Sequence, residues 1–209
     1  MTLPRTVEAP GISPGLPEPP VAEAVITAPE FLAMIEAEIF AERRVFLWEG
    51  RIYERKSKPI AHALTAQAFL LLLIPRLPEG WIPWVENPLT VTEIDVPLPD
   101  LMIVRGPLAR YMHPNRHPDP ADSGLVVEVA LTSRSKDLGV RAEKFARGLV
   151  PVYWVADCVH RQVVVHDGPE IVDGRCQYSR VRTYKVGEVV PLSLAGQVVE
   201  PIPVLELFP

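Results

Sequence analysis

Proline sets the first limit on what this chain can fold into: 24 of its 209 residues are proline. Each one fixes φ and removes a backbone donor, so helices and strands are confined to the intervals between them. Pro4, Pro10, Pro14, Pro17, Pro19 and Pro20 crowd residues 1–28, which carry little aromatic content. That segment is expected to be an extended, flexible tail, and removing it to leave stability nearly unchanged, because it has little apolar surface to bury. Residues 29–209 are long enough for one domain with a proper core.

The intervals carry recognisable patterns. Thr27 and Pro29 open a helix with Phe31, Leu32, Ile35 and Ile39 on one face. The text VFLWEGRIYER, Val45 to Arg55, predicts two short strands about a turn at Glu49-Gly50. His62 to Leu73 predicts an Ala- and Leu-rich helix ended by Pro75. Short strands are expected at Trp84–Glu86, Leu89–Ile94 and Leu101–Arg105, then a polar, proline-dense loop from Tyr111 to Ser123. Leu125–Ala130 reads as a strand, and Asp137–Gly148 as a helix presenting Leu138, Ala142, Phe145 and Leu149. Strands at Val152–Ala156 and Gln162–His166 and a β-rich remainder follow. Strands, helix and further strands in this order predict an α/β fold, a mixed sheet with helices against it.

Apolar residues make up 48% of the chain and charged residues 22%, a globular balance. No apolar run reaches the roughly eighteen residues of a membrane span; Phe69 to Ile74 is stopped by Pro75 and Arg76. With no signal-peptide pattern and only Cys158 and Cys176, the cytoplasm is the expected compartment, without a disulfide framework or a cysteine-rich zinc site. A net charge of −5 argues against nucleic-acid binding through overall charge but leaves local basic patches open. Two exist, Arg51, Arg55, Lys56 and Lys58, and Arg134, Lys136, Arg141, Lys144 and Arg147; a solvated face is the commoner fate of such runs.

The strand LVVEVA holds Glu128 among apolar neighbours. A carboxylate taken from water needs a cation, a hydrogen-bond network or a raised pKa, and a salt bridge to Arg or Lys would suffice. Asp100 follows Pro99 at the mouth of the strand LMIVR, where it is either a Pro-Asp turn residue or a second acid converging with Glu128. Two such carboxylates repel unless a divalent ion lies between them, and Mg²⁺ accepts hard oxygen ligands while retaining several waters.

The series ENPLTV (Glu86–Val91), PDLMIVRG (Pro99–Gly106), LVVEVA and KDLGVRAEKFARGLVPVYWVAD (Lys136–Asp157) resembles the Uma-two-type restriction endonucleases of the PD-(D/E)XK nuclease-like superfamily. The resemblance runs from about Phe31 to the C-terminus. It implies a restriction-endonuclease-like mixed β-sheet flanked by helices, Asp100 and Glu128 as metal ligands, and phosphodiester hydrolysis. Three departures stand out. Ala130 replaces the strand lysine; Arg141 occupies the position, four residues after Asp137, where the family carries a helix lysine; and Phe46 replaces an early glutamate while Glu49 keeps an acid.

The leading expectation is therefore an endonuclease acting on DNA with Mg²⁺ or Mn²⁺. Asp100, Glu128 and the Val129 carbonyl would hold the metal, and Arg141 or Lys144, three apart on one helix, would supply the fixed cation. Two other classes stay open: a catalytically attenuated member that binds nucleic acid or a protein partner, and an assembly module using the proline-rich tail. A homodimer is compatible with each. His62 reads as a helix-terminal residue with phosphate or metal contact as its alternative. His113 and His117, beside Pro114 and Pro118, read as loop residues, and Trp81, Trp84 and Trp154 as core.

Overall fold

The computed structural model describes residues 24–112 and 116–209. A six-stranded sheet in the order β3-β4-β5-β6-β7-β8 forms its centre: Trp81–Val85, Leu101–Arg105, Ser123–Ala130, Val152–Asp157, Gln162–Val172 and Arg175–Lys185. Only β5 and β6 pair in parallel; the other neighbours are antiparallel. The parallel pair needs a crossover, which is helical from Arg134 to Arg147: α3 (Arg134–Lys136), a π-helical turn (Asp137–Arg141) and α4 (Ala142–Arg147). Pro83 lies in β3, an edge strand, where a missing donor is tolerated.

Strand alternation divides the core in two. In β5, Leu125, Val127 and Val129 face α2 (Ile60–Leu73) and the hairpin of β9 (Val189–Leu194) and β10 (Gln197–Pro203), packing with Phe69, Leu73, Trp154 and Leu207. Val126 and Ala130 face α4, packing with Phe145, Ala146, Tyr153 and Tyr178. Trp81 and Trp154 are buried and Trp84 packs against the α4-side core. The mixed sheet flanked by helices is the architecture expected from the sequence.

A third, smaller core joins α1 (Ala28–Glu36) to the hairpin of β1 (Val45–Trp48) and β2 (Arg51–Glu54) through Ala28, Phe31, Val45, Leu47 and Val96. The hairpin turn places Glu49 and Gly50 at φ 50° and 69°. This is the left-handed pair favoured in two-residue hairpins. Gly50 is also required for space, because a Cβ there would run into Val25.

Several expected boundaries move. Leu89 and Val91 are buried, but Leu89–Ile94 is no strand. Its donors turn elsewhere: Leu89 N–H to Pro97 O (3.0 Å), Thr90 N–H to Pro118 O (3.0 Å) and Val91 N–H to Asp95 O (2.9 Å). Apolar alternation there reflects burial without a ladder partner. Helix α1 stops at Glu36 because Glu38 enters the left-handed region, which leaves Ile39 exposed. Leu149 likewise turns out of the core, 59% exposed at φ 61°, and Val150 is buried in its place. No helix among the described residues is long and apolar enough to cross a membrane.

Residues 1–23 and His113 lie outside the described residues, so the expected tail is described only from residue 24. From Ile26 onward the chain is tied to the domain. Ile26 N–H donates to Gly50 O (3.0 Å), Ile26 leans on the α1 core, Ala28 is buried, and Glu30 accepts from Thr27 N–H (2.8 Å) in a capping box. A boundary after residue 28 therefore cuts through these contacts. Relative to a chain beginning at residue 24, a chain beginning at residue 29 loses the cap and two apolar contacts. Its Tm is expected to fall by roughly 5 °C or more in a calorimetric comparison; equal midpoints would show that residues 24–28 contribute nothing.

Candidate active site

The sheet brings the two sequence-predicted acids together. Leu101 pairs with Val127 across antiparallel β4 and β5, so the next step along each strand sets Asp100 opposite Glu128. Opposed residues share a face, and alternation gives both the face of Met102 and Val126, toward the crossover helix. Asp100 and Glu128 are only 1% and 2% exposed. They meet at the floor of a cleft of about 180 Å³ that is also lined by Arg55, Lys58, His62 and Arg141.

Asp100 is partnered on both oxygens. Arg55 and Lys58 donate to Oδ1; His62 Nε2 (3.0 Å) and the Val129 N–H (2.7 Å) reach Oδ2. Burial alone would raise its pKa, but the His62 hydrogen bond and the Arg55 and Lys58 charges outweigh burial and hold the carboxyl well below the usual range. Glu128 is balanced differently. Its Oε2 lies 3.1 Å from Arg141 Nη1 and 3.7 Å from Arg55 Nη2. Burial is the largest influence, Arg141 opposes it, and the Asp100 charge adds to it; the result is a carboxyl pushed up to about 8.

Arg141 is held between carboxylates, 3.0 Å from Asp137 Oδ1 as well as 3.1 Å from Glu128. The Glu128 charge, then Asp137, keeps its guanidinium firmly protonated against burial. Asp137 is itself fully buried, accepts from Ser133 Oγ, and has a raised pKa through burial. The π turn spans the segment from Asp137 to Arg141, and such turns are frequent at functional sites.

Lys144 does not join this group. It is 3% exposed and lies 3.1 Å from Asp95 Oδ1 and 3.1 Å from Glu49 Oε1, with its ammonium 5.0 Å from the centre of the Trp48 ring. Helical spacing made Arg141 and Lys144 neighbours, but each is aimed at a different pair of acids. Lys144 ties the β1–β2 hairpin to α4. Its partner Asp95 also accepts from Glu49 N–H (2.9 Å) and Thr92 Oγ1 (2.7 Å).

The bland reading of two residue groups is overturned. His62 is not merely a helix-end residue, since its ring is buried against Asp100. Arg55 and Lys58 are no solvated face; their side chains are largely buried on the Asp100 carboxylate. Their signal was present as a basic run ending at Pro59, directly before α2, but charge spacing says nothing of which acid a flexible side chain finds.

The donor set suits a hard divalent cation on one specific ground. A strand residue's own N–H and C=O project to the same edge. The Val129 N–H points at Asp100, so the Val129 carbonyl lies on the edge where both carboxylates meet. Two carboxylates and a carbonyl are hard oxygen donors of the type Mg²⁺ and Mn²⁺ take alongside water. Among the described residues, no three His, Cys, Asp or Glu side chains gather at metal-holding geometry, so the protein side of such a site is limited to these few oxygens.

A family model described as "Uma2: Putative restriction endonuclease" matches residues 28–204. No curated protein matches the chain. Among solved structures, it is similar to one titled as a putative nuclease belonging to DUF820 from Anabaena variabilis, with a TM-score of 0.62 at 15% identity, covering 88% of this chain and 97% of that one. At that identity the likeness establishes the fold.

Two expectations follow from these contacts. Lys144→Ala takes the paired cation from the buried Asp95 carboxylate and is expected to cost about 3 kcal/mol in denaturant unfolding; a loss under about 1 kcal/mol would contradict the buried pairing. For Glu128 the folded pKa is raised above its unfolded value. Its stabilising contribution is therefore present at low pH and lost as pH rises through about 8. In the absence of metal, the Tm of the natural protein minus that of Glu128→Gln should fall between about pH 4.5 and about pH 8; a flat difference would refute the raised pKa.

Proposed function

The chain belongs to the Uma2 family, and from that premise we propose that it is an endonuclease that hydrolyses DNA phosphodiester bonds with Mg²⁺ or Mn²⁺. The observation that carries this reading is the buried pairing of Asp100 and Glu128 on adjacent strands, with the Val129 backbone between them. Asp100, Glu128 and the Val129 carbonyl would hold the ion. Bound there, it would polarise a phosphate oxygen and lower the pKa of a water molecule.

The remaining steps belong to the protein's own groups. His62 and the Val129 N–H fix Asp100 Oδ2, so the carboxylate keeps one orientation. Arg55 and Lys58 sit on Oδ1 in the absence of substrate; as long, flexible cations at the cleft they are suited to transfer to a phosphodiester oxygen, clearing the carboxylate as they do so. Arg141, clamped by Glu128 and Asp137, offsets charge as a water oxygen bonds to phosphorus and the bond to the leaving sugar oxygen breaks. A guanidinium does this electrostatically and gives up its proton far less readily than the ammonium of the family's usual lysine.

A second reading has its own support. Arg55, Lys58 and Arg141 already neutralise the carboxylates of the cleft. This would suit an attenuated member that binds nucleic acid without cutting it.

Nicking of supercoiled plasmid, run beside calorimetric Mn²⁺ titration, separates the two. The endonuclease reading expects nicking that requires Mg²⁺ or Mn²⁺ and disappears in the Asp100→Asn, Glu128→Gln double variant. Arg141→Ala should slow nicking on the order of 10²-fold, with Arg141→Lys retaining or raising the rate. Mn²⁺ binding abolished by the double variant, but with no nicking in the natural protein, would establish the attenuated reading. No Mn²⁺ binding at all would sink the metal-site assignment.

A further inference from the structure

The β1–β2 hairpin has an outer face that no core explains. Val45 and Leu47 alternate inward to the α1 core, and Ile52 packs beside them. Phe46, Trp48 and Tyr53 alternate outward and belong to none of the three cores. A solvent-facing strand face ordinarily carries polar side chains; this one carries three aromatics. Phe46 and Tyr53 are direct cross-strand partners, stacked with ring centroids 5.7 Å apart and planes 25° from parallel. Tyr53 is 44% exposed.

These rings line a cavity of about 290 Å³, completed on the helix side by Lys136, Val140 and Arg141. Arg141 also lines the cleft of Asp100 and Glu128, so the aromatic cavity and the acidic cleft share a wall. The same hairpin leads into Arg55, which grips Asp100. Aromatic surface and flanking cations therefore run continuously into the proposed reaction centre.

We propose that this cavity is a nucleobase-stacking subsite, receiving an unpaired base next to the phosphodiester held in the acidic cleft. The stacked Phe46 and Tyr53 rings extend an aromatic surface that any base can continue, with Trp48 beside them, and the exposed Lys136 supplies positive charge of the kind a sugar-phosphate backbone requires. A base inside a duplex hides its faces in the stack. The occupant is thus a base of single-stranded DNA, or one extruded from a duplex, and the substrate class narrows to DNA with unpaired or easily opened positions. The choice of DNA rests on the endonuclease reading above; the stacking geometry does not depend on cleavage.

The test measures binding without catalysis. Fluorescence anisotropy of the full-length chain in EDTA would compare a labelled single-stranded oligonucleotide with its matched blunt duplex, using Phe46→Ala, Tyr53→Ala and Tyr53→Phe. Preference for the single strand is expected. Phe46→Ala and Tyr53→Ala should each weaken single-strand binding on the order of tenfold while leaving duplex binding nearly unchanged, and Tyr53→Phe should retain it. Circular dichroism confirms that each variant is folded; neither ring lies in a core, and the conservative variant keeps the test decisive if an alanine variant fails to fold.

Unchanged single-strand affinity in the folded variants would overturn the proposal, as would equal losses on both ligands. A change in oligomeric state without a change in DNA affinity would assign the face to a second copy of the chain and also overturn it. Failure of the plasmid assay, with aromatic-dependent single-strand binding intact, would reject the endonuclease and keep the subsite. Metal-dependent cleavage of circular single-stranded DNA at the natural rate by Phe46→Ala and Tyr53→Ala would reject the subsite and keep the endonuclease.

Discussion

A carboxylate that is nearly sealed from water cannot stay ionised unless the structure neutralises it, and Asp100 is held ionised by groups that arrive from four separate parts of the chain. Arg55 arrives from the end of the β1–β2 hairpin, Lys58 from the link before α2, His62 from α2 itself, and the Val129 N–H from β5. Each contact satisfies the acid and anchors its own element to the mouth of the sheet. The hairpin's core of Ala28, Phe31, Val45, Leu47 and Val96 is small, so its placement over the cleft depends on polar ties of this kind. Lys144 provides another tie, joining Asp95 and Glu49 to α4.

Neutralisation also divides the labour between the two acids. Asp100, with cations on Oδ1 and hydrogen bonds on Oδ2, is kept ionised; Glu128, more dependent on one guanidinium and next to another negative charge, is pushed toward the protonated form. Adjacent carboxylates with their pKa values driven apart are a recurrent mark of sites that do chemistry, though structural ion pairs perturb pKa values as well. Here the perturbation coincides with a cleft at the strand ends, which is where the family resemblance led.

The parts of this arrangement legible in the sequence were those imposed by the backbone. Apolar neighbours on both sides marked Glu128 as buried, the Asp100 position at the start of LMIVR put it within reach, and Glu49-Gly50 marked the hairpin turn. What stayed hidden was decided by side-chain partners distant in sequence. Leu89 and Val91 look like strand residues because they are buried, yet their N–H groups bond to loop carbonyls. Arg55 and Lys58 look like solvated charge because nothing near them in sequence names Asp100 as their partner. His62 has the same ambiguity: a histidine near a helix start is ordinary until the strand opposite it is known.

Arg141 and Lys144 show how the crossover helix resolves a choice that spacing left open. Three residues apart, both were candidates for the cleft's fixed cation, Arg141 for its position and Lys144 as its chemical substitute. The two side chains then meet different chemistry. The guanidinium meets Glu128 and Asp137 through one nitrogen, Nη1, which lies 3.1 Å from the first carboxylate and 3.0 Å from the second. The lysine goes to Asp95, Glu49 and the Trp48 face, where a compact ammonium above a ring is well accommodated. Since Trp48 also lines the aromatic cavity, Lys144 ties one wall of the proposed base subsite to the crossover helix.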